Sequence, residues 1–275
     1  MSTMSHPDPM PFSPLPDFGR PPVVEVAVGV QFEAQECLRP FETAALRELW
    51  REAYPVVQEH PALPPTIEMQ PEAQTGFQVF VGPPPSRLWF VSSDGDSLVQ
   101  LQPDRLHVNW RAIDGVRPYP RWDWVRDTFK QRLLQVFEFV ETRAARVPAI
   151  AQVELTYINA IEMPDGTPAA MDHLLKQWGT APDHHLGTPR EFKATLVYEI
   201  MGMGQGPVRL YLDAGPGVRP NGGPTSFLTL TVRGAPLQGN TQSSLEFAEM
   251  AHEHIVNSFA ELTPPTMHAL WERRT

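Results

Sequence analysis

Val24, Val26, Val28, Val30 and Phe32 alternate with Glu25, Ala27, Gly29, Gln31 and Glu33. A period of two predicts a strand with one buried and one polar face. In "PFETAALRELWREAYP", Phe41, Ala45, Leu49 and Ala53 recur at helical spacing before Pro55, which predicts a helix buried along that stripe. A proline-rich loop containing "HPALPP" follows. "GFQVFVG", "RLWFVSS", "SLVQLQ" and "RLHVNWR" then predict strands, joined by the turn sequences "GPPPS", "DGD" and "PD". From about Trp122 to Arg143, Val125, Phe129, Leu133, Val136, Phe137 and Val140 make one apolar helical stripe.

The same order returns. Val153 to Ile161 alternates as a strand, and "AAMDHLLKQWG" is a short helix ended by Gly179. "EFKATLVYEI", "PVRLYLD" and "SFLTLTVRG" are strands, with "MGMGQG" as a hairpin turn. A long helix from about Ser244 to Leu262 carries Phe247, Ala251, Ile255, Phe259 and Leu262 on one side.

The two halves also match in detail. "VEVAVGVQFE" from Val24 recurs as "VELTYINAIE" from Val153, an offset of 129, with Val, Glu and the closing Glu in the same places. An offset of 122 sets Arg111 on Arg233, Val125 on Phe247, Leu133 on Ile255 and Phe137 on Phe259. These matches predict a degenerate internal duplication, with residues 23–147 as the first repeat and 148–275 as the second. Residues 1–22 precede it as a flexible proline-rich tail. Neither half buries its sheet except under its own long helix. The expected fold is therefore α+β, in which two β-α-β(3-4)-α repeats share one antiparallel sheet with the helices on one face. That order of elements resembles the TATA-binding-protein-like, helix-grip arrangement.

Composition narrows the function classes. The formal net charge of −10 disfavours indiscriminate nucleic-acid binding, because that affinity comes from Lys and Arg displacing counterions. No apolar run approaches the roughly 18 to 20 residues that span a bilayer, and the first residues lack a basic and an apolar segment, so a cytoplasmic protein without membrane attachment is expected. The single Cys37 excludes an intrachain disulfide and a multi-cysteine metal site.

If the valines of the first strand face the helices, Glu25 points the other way, as does Glu154 in the second half. The same parity puts Gln100, Gln102, His107, Asn109, Arg111, Arg209, Tyr211 and Arg233 on that face. Glu25 with Arg111, and Glu154 with Arg233, are expected as cross-strand pairs. The face reads either as a solvated sheet surface or as a recognition surface for a peptide, protein or small polar ligand.

Other chemistry is sparse. His252 and His254 stand two apart on a helix and point in nearly opposite directions, so they are expected to be surface histidines, not joint ligands. Asp183, His184 and His185 have no metal partner at a recognised spacing, and no metal or cofactor is expected. Cys37 sits where a helix N-terminus lowers a thiol pKa, but without a histidine motif it reads as an inert small residue. No GxSxG elbow, phosphate loop or HExxH sequence occurs.

The blocks "PPVVEVAVGVQFE", "RLWFVSSDGDSLVQLQPDRLHVNWR", "YPRW", "VELTYINAI" and "AHEHIVNSFAELTPPTMHALWERR" resemble a sporadically distributed bacterial protein family of about this length, to which no function is assigned. The resemblance implies a bacterial protein and transfers no site residues. Patchy distribution suits an accessory of a defence, toxin–antitoxin or peptide-modification cassette. The leading expectation is a non-catalytic protein that holds a protein or peptide partner on the polar face. The alternative is an enzyme or enzyme subunit with His107 and Glu25 or Glu154 as acid–base groups acting on a small polar substrate. Nucleic-acid binding through the saddle ranks third, because four glutamates share its surface.

Overall fold

The computed structural model describes residues 14–68, 86–113, 118–178 and 191–275. Among these residues the fold is α+β, with one antiparallel nine-stranded sheet and five helices. The first strand, β1 (Val23–Phe32), is followed by α1 (Ala44–Trp50), β2 (Val56–Pro61), β3 (Ser86–Val91), β4 (Ser97–Gln102), β5 (Arg105–Arg111) and α2 (Trp122–Ala144). The chain continues through β6 (Ile150–Ile161), α3 (Met171–Leu174), β7 (Ala194–Ile200), β8 (Gln205–Val218), β9 (Pro224–Ala235), α4 (Thr241–Leu262) and α5 (Pro265–Leu270).

The strands lie in the order β2-β3-β4-β5-β1-β6-β9-β8-β7. Thus β1 and β6 pair at the centre, with Ala27 opposite Thr156 and Val28 opposite Leu155. On either side Glu25 lies opposite Arg111, and Glu154 opposite Arg233. The predicted alternation sets the layers. Val26, Val28, Val30, Leu155, Leu230 and Val232 are fully buried beneath the helices, α2 resting on β1 and β5, and α4 on β6 and β9. Every predicted stripe residue of α2 is buried, as are Phe247, Ala251, Ile255 and Phe259 of α4. The start of α4 is capped by Asn240, whose side chain accepts from the Ser243 amide.

Several expectations are corrected. The stripe assigned to α1 is wrong, since Phe41 and Leu49 are 72% and 59% exposed and the buried side chains are Leu46 and Trp50. Trp50 decides the rotation of the helix: it meets Phe90 edge-on at 5.0 Å, and its Nε1 donates to Gln135 Oε1 at 2.7 Å. The chain after Pro55 is not loop throughout, because Val56–Pro61 pairs with β3 as an edge strand. The predicted strand "GFQVFVG" lies outside the described residues.

Of residues 1–22, expected as a flexible tail, only 14–22 are among the described ones, and they contact the rest of the fold. Phe18 is 5% exposed, bridges Arg273, and packs edge-on against Phe259 and Trp271. Asp17 joins Arg121 and Arg274. Among the described residues no helix is long and apolar enough to cross a membrane.

Candidate functional site

The sheet face opposite the long helices carries all ten residues singled out from the sequence, eight of them in two clusters, with His107 between these and Gln102 to one side. In the first half Arg87 donates to Gln100 at 2.7 Å, Gln100 to Asn109 at 2.8 Å, and Asn109 to Glu25 at 2.6 Å. Arg111 donates through Nε to the Gly95 carbonyl at 2.6 Å. Burial raises the Glu25 carboxyl above the usual carboxylate range, against the opposing effects of the Asn109 hydrogen bond and the Arg111 charge.

In the second half Arg209, Tyr211 and Arg233 surround one carboxylate, that of Glu68. Arg209 approaches Glu68 at 2.6 Å, the Tyr211 hydroxyl donates to it at 2.9 Å, and Arg233 reaches it at 3.3 Å. Arg233 also donates through Nε to Glu154 and lies over the Tyr211 ring at 5.2 Å. Burial opposes charge on Glu154, yet His107 and Arg233 outweigh it and hold the carboxyl below its ordinary range. Glu68 itself is only 8% exposed.

Glu68 is the last described residue of a segment that crosses the face. After β2 the residues from Ala62 to Glu68 form no element of their own, and Pro64 and Pro65 favour an extended backbone whose polar groups need partners outside the segment. The sheet supplies them. Gln102 of β4 accepts from the Leu63 amide at 3.0 Å and donates to its carbonyl at 3.1 Å. Arg105 of β5 donates to the Pro64 carbonyl at 2.9 Å. Gln31 of β1 accepts from the Thr66 amide at 3.4 Å. Gln152 of β6 accepts from the Glu68 amide at 2.9 Å and donates to the Thr66 carbonyl. The segment runs across the strands, gripped in turn by β4, β5, β1 and β6, and places its carboxylate on β8 and β9.

Arg105, Gln152 and Glu68 are absent from the residues that the sequence singles out, and Gln31, which the alternation points outward, is not among the chosen site residues. Gln31 and Gln152 had one readable signal, a polar side chain at the outward parity of a central strand. Glu68 had none, because the partners of its carboxylate lie 141 and more positions away.

His107 lies at the middle of the face beside Glu154 and Arg105. Burial is the main influence that pushes its pKa down to about 4, with Arg105, Arg87 and Arg233 adding to the effect and Glu154 opposing it. The gap lined by His107, Gly29, Thr66 and Glu154 measures about 10 Å³, room for at most one water. A small substrate does not fit between His107 and Glu154 with the segment in place.

Among the described residues no group of three His, Cys, Asp or Glu side chains is placed to hold a metal, and Asp183–His185 lie outside them. Burial pushes the Cys37 thiol up, not down. His254 is exposed as expected, but His252 is not a surface histidine: its ring stacks on Trp122 at 4.9 Å. No protein-family model matches the chain, and no curated protein or solved structure is significantly similar to it.

Proposed function

We propose that the protein is a non-catalytic binding protein whose polar sheet face holds an extended stretch of a protein or peptide partner. One observation carries the reading: this face already grips an extended backbone, its own residues 62–68, through side chains and not through sheet pairing. Gln102 and Gln152 each satisfy one amide and one carbonyl of that backbone. Such contacts read main chain, so they accept many sequences. The Arg209–Tyr211–Arg233 clamp adds a demand for one carboxylate. The partner replaces residues 62–68 on the same glutamines and presents an acidic residue where Glu68 sits.

We also propose that 23–147 and 148–275 are degenerate repeats in a TATA-binding-protein-like arrangement. Supporting this, Ala27 faces a residue 129 positions ahead, Thr156, which is the offset of the repeat itself. The pairs Glu25–Arg111 and Glu154–Arg233 flank that point on opposite sides.

A labelled peptide Ala-Leu-Pro-Pro-Thr-Ile-Glu, added in trans to the Glu68→Ala protein, tests the binding reading by fluorescence anisotropy. Saturable binding is expected, weakened at least tenfold when Arg209 and Arg233 are both replaced by Ala or when the peptide ends in Gln. Absence of binding to Glu68→Ala, or indifference to both arginines, overturns it.

A further inference from the structure

On the opposite side of the sheet, a cavity of about 370 Å³ opens between the N-terminal segment, the start of α2 and the face of α4. Its walls are apolar and aromatic, from Phe18, Val23, Trp122, Ile255 and Phe259. Of the uncharged polar side chains lining it, Asn159 donates to the Leu228 carbonyl at 3.0 Å, and three others form a chain: the Tyr119 hydroxyl lies 3.0 Å from that of Tyr157, which lies 2.9 Å from Nδ1 of His252. Trp122 stacks on the His252 ring with an interplanar angle of 13° and fixes its orientation.

Such a chain can donate in either direction. If Tyr119 donates to Tyr157 and Tyr157 to His252, the Tyr119 oxygen remains an acceptor and the other ring nitrogen a donor. Reversing both bonds exchanges the roles. A single hydroxyl or carbonyl on a ligand is therefore accommodated at either end.

The charges around the cavity are already paired. Asp17 binds Arg121 at 3.0 Å, Glu249 accepts from Trp122 Nε1 at 2.9 Å, and Asp123 meets Arg126 at 3.0 Å. The three polar groups are themselves uncharged at neutral pH: burial pushes the Tyr119 hydroxyl up to about 12, raises Tyr157 well above its ordinary value, and lowers His252 to about 4 with help from Arg126. An ion entering this space would lose its hydration without a free counter-charge.

We propose that this cavity is a small-molecule site for a neutral, flat, mostly apolar ligand bearing one hydrogen-bonding group, held between the aromatic walls and the Tyr119–Tyr157–His252 chain. The volume lies within the range of small-ligand pockets, and apolar walls with few convergent polar groups are their usual make-up. The site is separate from the polar face and does not depend on the reading given above for that face.

Naphthol and naphthalenesulfonate, which share a ring system and differ in charge, test it by calorimetric titration of the full chain near neutral pH. Naphthol is expected to bind saturably, and naphthalenesulfonate at least tenfold more weakly. Tyr119→Phe combined with His252→Phe, which keeps a ring at each end of the chain and removes both terminal hydrogen-bonding groups, is expected to weaken naphthol about fivefold, the equivalent of one net hydrogen bond of ~1 kcal/mol. Val256 of α4 also lines the cavity, so Val256→Trp fills it and is expected to abolish binding, and Val256→Phe serves if the tryptophan variant does not melt cooperatively. The proposal is overturned by no saturable naphthol binding up to its solubility, by equal affinity for the sulfonate, or by naphthol binding that survives the filled cavity.

Discussion

A Cβ built on Gly29 would lie 1.7 Å from Cδ2 of His107 and 2.5 Å from its Nε2. The glycine at this place in β1 therefore answers a steric demand from the neighbouring strand, not a turn. Gly29→Ala is expected to destabilise by about 2 kcal/mol or more, as overpacked cores do. Adding His107→Ala removes the obstacle, so the double variant should fall short of additivity by ~1 kcal/mol or more in urea denaturation; full additivity would show that the ring moves aside freely. The histidines also set an acid limit. His107 and His252 are both pushed from 6.5 to about 4, so between these values the unfolded chain binds more protons than the folded one. Their contribution is complete above about pH 6.5 and is lost as pH falls toward 4, at up to ~1.4 kcal/mol per pH unit for each. Glu25, raised above 4.5, acts with the opposite sign and offsets part of the loss at the acid end. Denaturant unfolding at stepped pH should show this slope, and it should flatten in His107→Gln combined with His252→Gln; an unchanged slope would assign the acid sensitivity to other groups.

Among the elements, the segment 62–68 stands apart because it has no regular structure yet is anchored at each end by a glutamine. The Leu63 and Glu68 amides should resist hydrogen exchange in the native protein although no strand or helix contains them. Gln102→Ala should release Leu63 alone and Gln152→Ala should release Glu68 alone, each by about tenfold, since each variant removes one grip. Release of both amides by either variant would mean that the segment detaches as one unit. What was readable in the sequence follows the same division. α2, α4 and the central strands announce themselves because their buried residues recur with the period of their own backbone, and that parity also picked out the polar face. α1 misled because Phe41 and Leu49 keep helical spacing while the core takes Leu46 and Trp50 through a partner, Gln135, that is 85 positions away. An extended proline-rich segment has no periodicity at all, so although strand parity points Gln31, Gln102, Gln152 and Arg209 to the polar face, that they hold this segment comes from the tertiary fold alone.

Across the whole molecule, several ties join the first half to the second, the stacking of Trp122 on His252 and the Tyr119–Tyr157 hydrogen bond among them. β1 pairs with β5 on one side and β6 on the other, so parting the halves leaves two central strands as unpaired edges. The segment 62–68 belongs to the first half but spends its carboxylate on Arg209 and Arg233 of the second. Phe18, ahead of β1, packs against Trp271, beyond α5, with ring centroids 6.1 Å apart. Each half keeps one long helix over its own strands, so each has the material for a core, but the edge exposed at β1 or β6 would be long and flanked by apolar side chains. The fragments 1–147 and 148–275 are therefore expected to aggregate when produced separately and to copurify as a soluble pair when produced together. The pair should unfold in one transition, because the continuous sheet leaves no boundary at which one half can melt first. Trp271→Ala in that pair removes a tie that chain connectivity no longer backs up. It should loosen the association of the fragments as well as lower the melting temperature, both readable by sedimentation and calorimetry. A soluble, cooperatively melting fragment obtained alone would mean that the β1–β6 junction is an interface between two self-sufficient units, and that the ties across it stabilise their union without being required for either fold.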